Sequence, residues 1–425
     1  MSSTSRGARA ALEVGLAVFA LSMAAAARAD VVTDWNEFAV PLVGLRTPTA
    51  SRALAMMHLA MFDAVDSIDR RFEPYLFNAL ADPGASPEAA AAAAAHAVLV
   101  ALFPSRQADL DAFFAASLAA ISDPDAKAKG VFLGELVAGT ILADRSQDGS
   151  AVTEAYAVAP GPGIYQPYIN STPTNPNPAP VSAAALFVPW GRVRPFALAS
   201  GSQFRGEGPL ALTSAEYAAE YDEVKHVGAM DSSVRTPDQT EAALFWAENI
   251  QIQFNRIARL AALAANRGLL ENARLFALLD MAGVDTTIAV FDTKYTYDFW
   301  RPREAIRAGD TDGNDATEAD PGWAPLLYVG LHPDYVSQHA AWGAAGAKVL
   351  ASFLGTDDFH FSISTSTAPG GVSRSFESFS QAAVENMSSR VWLGAHFRTG
   401  CRHGFNQGAQ VAQYVLGHAL KPLKQ

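Results

Sequence analysis

The chain has 425 residues, half of them hydrophobic and 17% charged, so it can bury a sizeable core and is not a disordered polymer. A formal net charge of -12 argues against nucleic acid and anionic membrane surfaces as general partners. A single cysteine, Cys401, excludes an intramolecular disulfide and is expected to pack in the core.

Residues 1–29 read as an export leader. Arg6 and Arg9 form a basic start, residues 14–23 an apolar stretch, and Ala27-Arg28-Ala29 a small-residue cleavage pattern, with Glu13 an unusual neighbour of the apolar stretch. The expectation is a protein exported to the periplasm or beyond the cell. No later run reaches the roughly eighteen unbroken apolar residues of a membrane span, so no such span is expected.

The pattern over 34–68 is helical, with small and apolar residues recurring at three- and four-residue spacing along 50–64. Ser86-Pro87-Glu88 predicts the start of a second helix, serine at the N-cap and proline in the first turn. The alanine-rich run after it is strongly helix-forming. Further helices are predicted over about 108–122 and 126–143.

Between 153 and 195 the texture changes. Pro160-Gly161-Pro162-Gly163 and the proline-rich run 172–180 cannot sustain helix or central strand. They predict a long surface connection pinned to the body by Trp190 and Phe196.

Helices resume with two capping boxes, Thr213 with Glu216 and Thr236-Pro237-Asp238-Gln239. Long helical stretches are predicted over 241–265 and 269–299, and strand signals are scarce throughout. The expected fold is all-α, a set of packed helical bundles. An N-terminal helical half (30–152), a Pro/Gly-rich connection (153–212) and a C-terminal helical half (213–425) would share one core as a continuous domain, 30–425.

Three segments of the second half carry residues suited to an oxyanion. In Lys294-Tyr295-Thr296-Tyr297-Asp298-Phe299-Trp300-Arg301-Pro302 the two cations are seven residues apart, which at about 100° per residue returns to one helix face. Such a pair either holds an anion or is a solvated pair with Asp298 and Glu304 as partners. In His332-Pro333-Asp334-Tyr335-Val336-Ser337-Gln338-His339 a serine stands where it can cap a helix and leave N–H groups for an anion, with His339 close by. His332 is near enough to line the mouth of such a pocket.

The third segment is Ser389-Arg390-Val391-Trp392-Leu393-Gly394-Ala395-His396. A permanently charged fork and a titratable nitrogen suit an anion that is both held and used chemically. On an unbroken helix Arg390 and His396 would point about 120° apart, so their convergence requires a break, expected at Gly394. His403 reads as a helix-surface histidine.

In this order the three segments resemble the vanadium-dependent haloperoxidases and their relatives, the type 2 phosphatidic acid phosphatases and bacterial acid phosphatases. The family pattern is Lys, six residues, Arg-Pro; then Pro-Ser-Gly-His; then Ser-Arg, five residues, His. The chain matches the first and last in full and the middle in part, with Val336-Ser337-Gln338-His339. The likeness extends to 51–63, to Trp190-Gly191 and Pro195-Phe196, and to 211–220 and 310–323, which look like the secreted bacterial haloperoxidase-like branch.

The resemblance implies that Lys294, Arg301 and Arg390 neutralise the oxygens of vanadate or phosphate. Ser337 and the Gln338 backbone N–H would hydrogen-bond the anion. His339 would be the general acid–base, and His396 the axial vanadium ligand or, in a phosphatase, the phosphoryl-accepting nucleophile. The implied cofactor is vanadate, with hydrogen peroxide and a halide or small organic acceptor as partners. The reading is a vanadate-dependent haloperoxidase-like enzyme oxidising halide with hydrogen peroxide. A phosphatase acting through a phosphohistidine, or an anion-binding scaffold without turnover, are the alternatives. Two positions depart from the family: Gln338 replaces the glycine of the second motif, and Gly400 stands where members often carry an acid four residues after the last histidine.

Overall fold

The structure, a computed structural model, describes residues 30–44, 47–167, 184–327, 330–365, 367–368 and 370–424. The leader-like residues 1–29 and the proline-rich run 172–180 lie outside them. Among the described residues the helices are α1 (Val31–Leu42), α2 (Thr47–Asp66), α3 (Pro87–Leu102), α4 (Gln107–Ala119), α5 (Pro124–Arg145), α6 (Ala215–Val227), α7 (Pro237–Phe245), α8 (Ile250–Ala265), α9 (Leu269–Tyr297), α10 (Pro302–Arg307), α11 (Gln338–Leu354), α12 (Phe379–Trp392) and α13 (Arg398–His418). One antiparallel hairpin, β1 (Asp358–Thr365) with β2 (Val372–Ser378), completes the set. No single described helix is long and apolar enough to cross a membrane.

The all-α expectation holds, and its start signals act as anticipated. Ser86 caps α3 by accepting from the Ala89 N–H, and Thr236 with Gln239 forms a reciprocal capping box on α7. The alanine run is a core helix: Ala89 to Ala95 are all buried, and α5 packs so close that a Cβ on Gly130 would lie 2.7 Å from that of Ala89. Trp190 and Phe196 are buried, as the reading of 153–195 required.

Four details differ. The 34–68 pattern is two helices, α1 and α2. The cap of α6 is Ser214, whose Oγ accepts from the Tyr217 N–H, so Thr213 lies outside the helix. The stretch 241–265 is broken between α7 and α8, where Asn249 caps a new helix start. The hairpin was not anticipated: its inward side chains alternate, Phe361, Ile363 and Phe376 being buried, but facing serines give its exposed side a loop-like composition.

α9 organises the molecule. It is buried along most of its length, as a helix without a continuous polar face must be. It packs against α2, α8, α11 and α13. One core cluster runs from Val32 to Leu420, and a second, built from Tyr217, Trp300, Tyr335 and Phe397 among others, lies beside the C-terminal end of α9.

Candidate active site

The termini of five helices meet at one place, and local sequence explains each ending. α9 delivers Lys294 in its last turn and stops at Asp298, which adopts the left-handed conformation (φ 48°, ψ 30°). Arg301 follows as the N-cap residue of α10. Lys294 and Arg301 are therefore not on one continuous helix, contrary to the seven-residue spacing argument; α9 ends and α10 begins between them. Ser337 caps α11, its Oγ 3.4 Å from the Ala340 N–H that it accepts.

Arg390 lies in the last turn of α12, and the helix breaks at Gly394 (φ +78°), where a side chain would collide with the Gly228 carbonyl at 2.5 Å. His396 falls in the link before α13. That link turns inward because the Ala395 and His396 N–H groups both reach back to the Arg390 carbonyl, at 3.0 and 3.3 Å. α13 then runs hard against the start of α11. The Ser337 N–H donates to the Gly400 carbonyl at 2.9 Å, and a Cβ on Gly404 would lie 2.6 Å from the Ser337 carbonyl oxygen.

The resulting cluster is buried. Lys294, at 0% exposure, donates to the Pro333 and Asp334 carbonyls at 2.6 and 2.9 Å. Arg301 donates from Nε to the His332 carbonyl (2.8 Å) and from Nη1 to the Ala395 carbonyl (2.9 Å). Its Nη1 also lies 3.4 Å from His396 Nε2, and its Nη2 3.0 Å from His332 Nδ1. Arg390 donates to the Trp246 carbonyl at 3.2 Å. His396 Nδ1 stands 2.7 Å from Asp334 Oδ1. His339 Nε2 is 3.3 Å from the Glu248 carbonyl, and Asn386 of α12 holds the His339 carbonyl at 2.8 Å.

Burial sets the electrostatics. It pushes Lys294 well below its ordinary range, reinforced by Arg301, and brings Arg390 down to about 10. It also holds the His332, His339 and His396 rings well below ordinary histidine, with the neighbouring cations adding to the effect. Desolvation raises the Asp334 carboxyl to about 7 against the pull of Arg301 and Lys294.

None of Lys294, Arg301 and Arg390 makes a side-chain ion pair with a described carboxylate, and the buried Arg390 Nε has no hydrogen-bond partner. Three buried basic groups with carbonyls as their main partners and no side-chain ion pair form a cradle that a tetrahedral or trigonal-bipyramidal oxyanion fits. The donor set suits vanadate: hard oxygens for the guanidinium and ammonium groups, and an imidazole nitrogen for the metal.

Of the residues singled out in the sequence, Lys294, Arg301, His339, Arg390 and His396 are brought into one electrostatic cluster, with Ser337 at the head of α11 beside it. Gln338 turns its side chain toward α9, Nε2 lying 3.4 Å from Thr287 Oγ1. His332 does line the cluster, against Arg301. His403 sits part-buried beside Tyr335, whose hydroxyl is 2.7 Å from Nδ1. Sequence reasoning missed Asp334 as a neighbour of His396, although it quoted the residue within the motif. It also missed the Trp246 and Glu248 carbonyls, which no side-chain pattern can announce.

The fold is one found in vanadium haloperoxidases. A profile described as the VCPO second helical-bundle domain matches residues 274–425. The vanadium chloroperoxidase of Curvularia inaequalis is 25% identical over 466 residues, spanning 84% of this chain and 75% of that protein. Among solved structures, the first bacterial vanadium-dependent iodoperoxidase superposes with a TM-score of 0.77 at 24% identity, covering 93% of this chain and 96% of that one. A holo-type bacterial vanadium-dependent chloroperoxidase does so with 0.71 at 18% identity, covering 92% and 94%. Together these matches support the vanadium haloperoxidase superfamily for this chain.

Proposed function

We propose that this protein is a vanadate-dependent haloperoxidase-like enzyme that oxidises halide with hydrogen peroxide. The observation that carries this reading is the buried triad of cations around His396, uncompensated by side-chain ion pairs and with Arg390 Nε unpartnered. Lys294, Arg301 and Arg390 would neutralise the anion's oxygens, while Ser337 and the Gln338 N–H would hydrogen-bond it. His396 Nε2 would be the nitrogen that meets the metal.

Bound vanadate would supply a Lewis acid that polarises hydrogen peroxide toward halide. His339 is the residue suited to move a proton. Its Nε2 faces the Glu248 carbonyl, which only an N–H can satisfy, so the neutral ring keeps Nδ1 as a bare base. Burial of the cluster keeps bulk water from screening these charges. The relatives named above include both a chloroperoxidase and an iodoperoxidase, so the likeness leaves the halide open.

The test is halogenation of a dye by the purified protein with orthovanadate, hydrogen peroxide and each halide in turn, from acid to neutral pH. Vanadate-dependent turnover is expected, and it should vanish in His396→Ala. No halogenation together with hydrolysis of a phosphomonoester would replace this reading with a phosphatase.

A further inference from the structure

We propose that Asp334 is the positioning residue of His396, fixing which ring nitrogen carries the proton and leaving Nε2 bare toward the anion. This assignment rests on the reading of His396 as the anion-contacting side chain. A neutral imidazole has one N–H and one bare nitrogen. Arg301 Nη1 stands 3.4 Å from Nε2, and a guanidinium only donates, so Nε2 is the acceptor and the proton belongs on Nδ1. Nδ1 faces Asp334 Oδ1 at 2.7 Å, the one described carboxylate in ion-pair contact with the ring. The approach is slanted rather than aligned, and the Phe397 N–H also bears on the Asp334 carboxylate, but no other described carboxylate is in ion-pair contact with Nδ1.

The loop carrying Asp334 is fixed independently of the ring. Its N–H donates to the Phe299 carbonyl at 2.8 Å, and its own carbonyl accepts from Lys294 Nζ at 2.9 Å. The residue is 1% exposed, so the carboxylate cannot swing out to water without moving that loop. Gly400, four residues beyond His396 in the first turn of α13, provides the room. A Cβ there would stand 3.0 Å from Asp334 Oδ2. A side chain at 400 and the Asp334 carboxylate therefore compete for one space, so with Asp334 removed a carboxylate grown from 400 starts beside the vacated position.

Histidine ring-nitrogen NMR of the wild-type protein, with His396 assigned by comparison with His396→Gln, reads the tautomer directly. A protonated Nδ1 and bare Nε2 are expected without vanadate; a protonated Nε2 overturns the proposal. Calorimetric titration with orthovanadate then compares variants. Asp334→Ala should weaken binding by about tenfold or more, the usual size of losing a ligand's orienting partner. Asp334→Ala/Gly400→Asp should recover most of the loss, which a merely structural role for Asp334 does not predict. Failure to recover in a double variant that melts like wild type, or undiminished binding in a folded Asp334→Ala, overturns the assignment. Should Asp334→Ala alone not fold, the wild-type spectrum and the double variant decide. A wild-type protein that binds no vanadate would instead count against the proposed function, and the spectrum would still judge Asp334.

Discussion

Arg390 concentrates the residue-scale argument. The residue is 3% exposed, and its guanidinium donates to one carbonyl and leaves Nε without a partner. A buried cation in this state costs stability that an apolar side chain of similar length would not. With an anion beside it the same group makes charge-assisted hydrogen bonds, each contributing about 1.5–3 kcal/mol. Arg390→Met should therefore weaken vanadate binding by roughly tenfold to a hundredfold. The anion-free protein should melt at the same temperature or higher. Calorimetric titration and thermal unfolding without vanadate check the two halves; a large loss of stability in the anion-free variant would show that Arg390 serves the fold rather than the site. That Arg390 belongs to the site was legible from its spacing to His396 once Gly394 was read as a break. That Asp334 belongs there was not, because the direction of its carboxylate depends on a loop tied to Phe299 and Lys294, both distant in sequence.

At the scale of elements, buried carboxylates tie irregular chain to helices. Asp63 of α2 accepts the Tyr75, Leu76 and Phe77 N–H groups at 2.7, 2.8 and 2.9 Å. Asp285 of α9 does the same for Phe196, Ala197 and Leu198, at 2.7, 2.7 and 2.9 Å. Capping residues and helical periods are local and could be read in the sequence; these ties could not, since a carboxylate and the amides it collects are 87 to 89 residues apart at Asp285. Burial raises the Asp285 carboxyl from 3.8 to about 6 despite the three donors. Between those values the folded protein keeps a proton that the unfolded chain has released, so this group makes stability fall as pH rises through that window. The gap corresponds to roughly 3 kcal/mol. In Asp285→Asn that decline should be absent, so urea unfolding of wild type and variant between acid and neutral pH should diverge in slope, wild type losing more. Parallel profiles would mean that the three N–H groups keep the carboxylate ionised throughout.

At the scale of the whole molecule, the site sits where α9, α11, α12 and α13 end or begin, so an anion bound there adds a link between elements already joined by packing and a few hydrogen bonds. The sequence marked where several helices start and that they are apolar enough to pack, but not which faces meet. The convergence depends on contacts such as the Ser337 N–H on the Gly400 carbonyl and the approach of Gly404 to the head of α11. A ligand that binds only this assembled arrangement stabilises it by mass action, by about 2.7 kcal/mol at a hundredfold excess over its dissociation constant. Orthovanadate should therefore raise the melting temperature of the wild-type protein progressively with concentration, and inorganic phosphate should compete with it for the same cations. Sulfate at equal ionic strength controls for the general effect of salts on burial. Because the stabilisation reports binding to the cluster, it should shrink in Arg390→Met, in which one of the three cations is gone. An equal rise in that variant, or a rise matched by sulfate, would place the anion somewhere other than between Lys294, Arg301 and Arg390.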